Sequence, residues 1–245
     1  MVKKIVGTGV LLVLALALQA GVKMYTLKSP DGKVKLEVTA GQGIAYSLFY
    51  DGRLLLKPSR IALHTDLPEA DHWENIRITG TKQRHVSETV QAPFYRVKEF
   101  GIDCNELELR LNNGFSLLMR AYNDGMAYRF VAGRKGEMTV VEERAEFNFA
   151  DDFEAYIPYS TNPKDPWNMA FQNFYTKAPL TQYNTELPAF LPLTVDAGAV
   201  KLTLLESDLE AYPGMFVCGD GKTPALKGVF AAYPQETFKN KWRCQ

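Results

Sequence analysis

Alternation with a period of two runs through almost the whole chain, and it limits the fold to antiparallel sheets. Lys33–Thr39 reads KVKLEVT, Glu106–Leu111 reads ELELRL, Ala127–Val131 reads AYRFV and Lys201–Leu205 reads KLTLL. Ile76–Thr79 (IRIT) follows the same rule. Such segments place one face in a core and the other in water. Between them lie Ser29-Pro30-Asp31-Gly32, Tyr50-Asp51-Gly52, Asn112-Asn113-Gly114, Asn123-Asp124-Gly125 and Cys218–Lys222 (CGDGK). Asn-Gly and Asp-Gly supply the positive φ angles that tight hairpins demand.

The turn spacing predicts a meander. Lys33–Thr39 turns at Gly41–Gly43 into Ile44–Tyr50, and Asp51-Gly52 leads into Arg53–Lys57. Leu107–Leu111 turns into Phe115–Tyr122, which passes through Asn123–Gly125 into Met126–Val131. Many short strands at this spacing predict an all-β fold, a large β-sandwich. No helical pattern of convincing length follows the first twenty residues. There is no fixed repeat and no low-complexity linker, so residues 21–245 read as one large domain.

The first twenty residues read differently. Lys3 and Lys4 form a basic start, Val10–Leu18 (VLLVLALAL) an apolar core, and Leu18-Gln19-Ala20 a cleavage site ending on a small residue. The apolar core falls short of the about 20 residues a membrane span needs. Residues 1–20 are therefore expected to be a cleaved signal peptide, which implies a periplasmic or secreted protein without a stable membrane span. The 28 basic and 28 acidic residues cancel and are spread along the chain. That disfavours a nucleic-acid partner, which calls for a clustered basic surface. Cys104, Cys218 and Cys244 fit no zinc spacing, and export permits a disulfide that the sequence does not assign.

Asp151–Leu193 breaks the alternation. It is crowded with Pro158, Pro163, Pro166, Pro179, Pro188 and Pro192, and with Tyr156, Tyr159, Trp167, Phe171, Phe174, Tyr175 and Tyr183. Proline fixes φ and removes a ladder donor, so most of this stretch is not central strand. Long irregular insertions are often functional. Two uses of the aromatics stay open: stacking on the apolar faces of sugar rings, or packing the loop against its own sandwich.

Residue types and spacing alone mark no active site. His64, His72 and His85 show no metal-helix spacing, and no nucleophile elbow or phosphate loop is present. Asp31–Lys35 and Asp220–Lys222 read as turns rather than calcium loops. Glu142-Glu143, Asp151-Asp152 and Glu206/Asp208/Glu210 are carboxylate groupings of the type glycoside hydrolysis uses. On a strand, Glu206, Asp208 and Glu210 would share one face, which is tolerable if solvated or at a strand end.

A set of segments in fixed order resembles the N-terminal domain of glycoside hydrolase family 97. They are LKSPDGKVKLEV (Leu27–Val38), Ile44–Leu48 with YDGRLLL (Tyr50–Leu56), YNDGMAYRF (Tyr122–Phe130), MAFQNFYTKAP (Met169–Pro179), LPAFLPLTV (Leu187–Val195), LLESDLEAYPGMF (Leu204–Phe216) and GVFAAY (Gly228–Tyr233). The YNDG segment is shared with other glycosidase sandwich domains, whereas ESDLEAYPGM is specific. The resemblance covers about 200 residues.

The resemblance implies a β-supersandwich similar to the galactose mutarotase fold, followed in the family by a catalytic (β/α)8 barrel and a small β domain. Family members hydrolyse α-glucosides with inversion or α-galactosides with retention, and hold calcium near the active site. The barrel carries the acid and the base or nucleophile, so no catalytic residue is expected in this chain, which stops at Gln245 where a linker to the barrel would begin. The fragment by itself is expected to be inactive, and its oligosaccharide substrate to be met through the barrel. The family's F-E-N-x-Y segment supplies a calcium-binding glutamate. Here the segment is Phe171-Gln172-Asn173-Phe174-Tyr175, so Gln172 stands at the metal position, with Glu186 as an alternative oxygen donor. A carboxamide brings an oxygen but no charge. Two other readings remain. One is a stand-alone carbohydrate-binding or structural sandwich. The other is a mutarotase, for which all three histidines stand too early, before residue 86.

Overall fold

The computed structural model describes residues 23–168, 171–207, 209 and 212–232. The predicted signal peptide, Cys244, Asp208 and Glu210 lie outside them. Among the described residues the regular structure is fifteen β-strands and one 3-10 turn. Strands joined in hairpins pair antiparallel throughout both four-stranded meanders and the smaller sheets. The chain folds as an all-β sandwich protein, divided into two compact units at residues 142 and 143.

The first unit carries two four-stranded meanders. In one, β1 (Lys23–Lys28), β2 (Val34–Gly41), β3 (Gly43–Tyr50) and β4 (Arg53–Thr65) pair in order. In the other, β5 (Ile78–Gln91), β6 (Glu99–Leu111), β7 (Phe115–Tyr122) and β8 (Gly125–Ala132) do the same. The expected hairpins are all present. Gly41 faces Gly43, Tyr50 faces Arg53 and Tyr122 faces Gly125. Asp51 and Gly52 carry φ of 49° and 78°, the left-handed pair a two-residue hairpin needs.

The buried residues of the alternating pattern meet between these sheets. Leu36 and Val38 of β2 are fully buried, as are Leu109 of β6 and Leu117 and Met119 of β7. Tyr46 packs on Tyr128 with ring centroids 5.9 Å apart. Trp73 packs edge-on against Phe130 at 5.2 Å, and its indole N–H donates to Leu63 O at 3.0 Å. Burying each such apolar side chain contributes roughly 1.5–3 kcal/mol.

The sequence pattern underestimated the second meander. IRIT marks only the start of β5, which runs on to Gln91 through the polar stretch TKQRHVSETVQ. Beyond Cys104, which faces Tyr122, β6 no longer pairs with β7. Ser87–Gln91 and Glu99–Asp103 then form a two-stranded arm by themselves.

The second unit, entered along β9 (Val140–Asn148), holds two smaller sheets. In one, β15 (Ala225–Phe230) pairs with β9 and with β14 (Met215–Gly219). In the other, the order is β11 (Thr176–Pro179), β10 (Glu154–Ile157), β12 (Leu193–Asp196) and β13 (Lys201–Leu204). Ala155, Ile157, Leu193 and Val195 form its buried side.

Candidate functional site

The irregular stretch between β10 and β12 is fastened at its base by tyrosines. Val217 and Ala189 exchange backbone hydrogen bonds, each N–H to the other's carbonyl at 2.8 Å. Ala189 also bridges to Tyr159. The Tyr183 hydroxyl lies 2.7 Å from Val217 O and 3.0 Å from Leu187 O. The Tyr159 hydroxyl accepts from the Asn184 N–H at 2.8 Å, and the two tyrosine rings meet edge to face at 5.0 Å. Both rings are buried, and burial pushes both phenols up from their ordinary value. Gly219 makes room: a Cβ there would sit 2.8 Å from the Tyr183 ring.

Above this base the chain presents a different set of aromatics. Phe174 is 94% exposed, while Phe171 and Tyr175 are each about half exposed. Phe171 adopts φ of 52°, an uncommon conformation for a bulky residue. Its ring still rests on Phe190 at 5.8 Å and on Phe216 at 5.9 Å, and Trp167 meets Phe216 edge-on at 4.9 Å. Asn173 ties the turn down by donating from Nδ2 to Tyr159 O at 2.8 Å and accepting the Phe174 N–H at 2.8 Å. The two uses left open for the aromatics are thus divided between residues. Tyr159 and Tyr183 pack the loop, and Phe171, Phe174 and Tyr175 face outward.

Gln172 lies on that outward turn and is exposed. Glu186 is also exposed, with its N–H given to Asn184 Oδ1 at 3.1 Å. Among the described residues no group of three or more His, Cys, Asp or Glu side chains converges on a common point. Calcium takes about 6–8 oxygens. Gln172 fits as one exposed donor, but the described residues do not complete a calcium site.

The carboxylates have separate fates. β13 ends at Leu204, so Glu206 lies past a strand end rather than on a strand face. Both its oxygens accept the Met215 N–H, at 2.8 and 2.9 Å, and so hold the Tyr212-Pro213-Gly214 turn. Glu143 of β9 accepts the Tyr212 hydroxyl at 2.7 Å. Burial raises the pKa of Glu143, with the Glu206 charge adding to it, and burial also raises that of Glu206. Local spacing does not reveal this trio, because Glu143 and Glu206 are 63 residues apart. Asp152 accepts from the N–H and hydroxyl of Thr181 and serves the loop base.

The other candidates are structural. His64 Nδ1 lies 2.7 Å from Asp71, and His85 contacts Asn105 and Asp103. Asp220 caps its own turn at Lys222 and Thr223, and Asp31 does the same at Lys33, as expected for turns. Cys104 and Cys218 are free thiols, and burial raises the pKa of both. No helix among the described residues is long and apolar enough to cross a membrane.

Comparison with known proteins agrees with the motifs. The sequence model described as Glycosyl-hydrolase 97 N-terminal matches residues 27–244. A retaining alpha-galactosidase of Bacteroides thetaiotaomicron is 39% identical over 231 residues, 91% of this chain and 34% of the relative. A probable retaining alpha-galactosidase of Streptomyces bingchenggensis is 26% identical over 63% of this chain and 24% of the relative. Among solved structures, a family 97 enzyme of Pseudoalteromonas sp. strain K8 in complex with acarbose superposes with a TM-score of 0.70 at 18% identity, covering 84% of this chain and 32% of that one. A beta-arabinopyranosidase gives 0.72 at 20% identity, covering 85% and 35%. The chain thus spans about a third of the length of this Bacteroides alpha-galactosidase. These matches and the ordered motifs lead to one conclusion: the chain belongs to glycoside hydrolase family 97 and corresponds to its N-terminal domain.

Proposed function

We propose that this chain is the N-terminal β-sandwich of an exported α-glycosidase, and that it supports the active site of a following (β/α)8 barrel. The observation that carries this reading is the 39% identity over 91% of the chain to a retaining alpha-galactosidase. That relative favours an α-galactoside as substrate over an α-glucoside. Retention needs two carboxyl groups about 5–5.5 Å apart, and a barrel with its site at the strand ends suits that geometry. In this reading hydrolysis belongs to the barrel and the chain by itself is inactive, which is supported by the carboxylates described above holding turns within the chain.

The part this domain plays is a wall of the substrate pocket. The turn 171–175 is held by Asn173 and by the buried tyrosines beneath it, yet turns three rings outward. A rigid rim with exposed rings can stack on a sugar and exclude water from the chemistry. Gln172 on the same turn adds one neutral oxygen to a calcium ion whose other ligands come from the barrel. The predicted signal peptide directs the protein to the periplasm or beyond.

A second reading is a stand-alone carbohydrate-binding sandwich, favoured by the exposure of Phe174. Isothermal titration of the purified chain with galactose and with α-galactosyl oligosaccharides separates the two. The barrel-supporting role predicts no binding below about 1 mM. Micromolar binding abolished by Phe174→Ala selects the stand-alone module.

A further inference from the structure

The arm formed by β5 and β6 is unlike the rest of the first unit. Phe94 at its tip is fully exposed, Tyr95 is 72% and Val97 52% exposed, and Val90 and Phe100 are each 42% exposed. The tip is ordered by backbone bonds, Ala92 N–H to Lys98 O at 2.7 Å and Tyr95 N–H to Ala92 O at 3.0 Å. Tyr95 also packs edge-on against Phe100 at 6.1 Å. A two-stranded ribbon is at best marginally stable alone in water, and contiguous exposed apolar groups of this kind mark interaction surfaces.

β5 is also the outer strand of its sheet, and no other described strand pairs with its free edge. That edge is 14 residues long and contains no proline. Long open edges are templates for another strand. The side chains along β5 say which strand fits. Lys82, Arg84, Val86, Glu88 and Val90 share one face by the period of two, and Thr81, Gln83, His85, Ser87, Thr89 and Gln91 share the other.

Now pair this edge antiparallel with a second copy of itself, the twofold axis passing through Val86. Arg84, whose Nε donates to Glu106 at 2.6 Å, then offers its terminal guanidinium nitrogens to the partner copy's Glu88, and the contact occurs twice. Val86 meets Val86, and Lys82 extends along Val90. On the other face Thr81 meets Gln91, Gln83 meets Thr89 and His85 meets Ser87, all polar and without like charges. An axis through Arg84 or Glu88 would instead set like charges face to face, which is destabilising. Glu88 forms no salt bridge among the described residues and acts on Arg84 only through its charge. The register therefore satisfies a carboxylate left exposed in the single chain. It also carries the apolar tip past the partner copy's Thr81, toward the end of its edge strand.

We propose that the free edge of β5 is a dimerisation surface, in which two copies of this chain pair through Arg84 and Glu88 about Val86. The interface is isologous, as closed twofold dimers require.

Sedimentation equilibrium of the purified chain between 1 and 100 µM tests this. The expected mass is twice that of one chain. Glu88→Arg would place arginine opposite arginine at both ends of the pairing and should weaken association about tenfold or more. The variant's far-UV circular dichroism should be unchanged if it dissociates while still folded, and its melting temperature should lose the concentration dependence that association gives the parent. In the dimer, hydrogen exchange at Thr81–Gln91 should slow with rising protein concentration. A chain that stays monomeric across the range overturns the proposal and leaves the arm to a different partner. A dimer indifferent to Glu88→Arg overturns it as well, because association then uses another surface.

Discussion

Tyr212 and Glu143 are 69 residues apart in sequence, and the phenol hydroxyl of the first donates to a carboxylate oxygen of the second at 2.7 Å. This contact ties β9 to the turn inside ESDLEAYPGM, the most specific motif in the chain. Tyr212→Phe keeps the ring, which packs edge-on against Phe230 at 5.9 Å, and deletes only the donor. A half-buried carboxylate that loses its donor costs about 1–2 kcal/mol. Urea denaturation should show that loss, with an unchanged slope.

The same two carboxylates make a pH prediction. Burial holds the pKa of Glu143 and Glu206 above the ordinary 4.5 in the folded chain. The folded state then binds more protons than the unfolded one, so this contribution is complete below pH 4.5 and is lost as pH rises through the raised values. Glu143→Gln, which keeps a hydrogen-bond acceptor for Tyr212, should flatten that decline and raise the melting temperature at pH 8 relative to pH 4. A steeper decline in the variant would contradict the assignment.

Glu106 runs the opposite way. Burial pushes its pKa up, but Arg84 at 2.6 Å and Arg120 at 2.8 Å outweigh burial and hold it below 4.5. Its contribution is present above pH 4.5 and disappears as pH falls through the lowered value. Arg120 is less exposed than Arg84, 28% against 54%. Arg120→Ala should therefore cost about 1–2 kcal/mol at pH 7, between an exposed pair and a fully buried one, because the arginines are partly open to water and Arg84 still holds Glu106. Arg84→Ala should cost less, and thermal melts of the two variants at pH 7 give the ranking.

Gly219 is required by a neighbour rather than by its own backbone angles. A Cβ would lie 2.8 Å from Cγ and 2.9 Å from Cβ of Tyr183. Gly219→Ala must displace that ring from Val217 and Leu187, at a cost of about 1–3 kcal/mol. Phe174→Ala, on the exposed side of the same region, should stay within about 0.5 kcal/mol of the parent. Denaturation midpoints of the two variants compare loop packing with loop surface.

The strands were legible where alternation and turn chemistry agreed. Gly41–Gly43, Asp51-Gly52 and Asn123–Gly125 each close the hairpin their residue types require. Two recognised turns even touch: the Asp31 N–H of the SPDG turn donates to Asn123 Oδ1 of the YNDG turn at 3.0 Å. β5 was not legible beyond its first residues, because both faces of its outer half are in water and no alternation marks them. The loop 151–193 was legible as irregular but not as two sets of aromatics. Proline content says that regular strand stops, whereas burial depends on which rings find Val217, Ala189 and Phe216 in space. The Glu143–Tyr212–Glu206 grouping was hidden for the same reason. Its members come from separate strands and share no local spacing.

The most direct test of the barrel-supporting role is a chimera. This chain would replace the matching N-terminal third of the Bacteroides retaining alpha-galactosidase, and hydrolysis of a chromogenic α-galactoside would be measured for the chimera, the remaining two thirds alone, and this chain alone. The account predicts turnover by the chimera at least about tenfold above the truncated enzyme, each 1.4 kcal/mol of lost transition-state stabilisation being a factor of ten, and none by this chain. Hydrolysis by this chain alone, or a folded chimera no more active than the truncated enzyme, would contradict it.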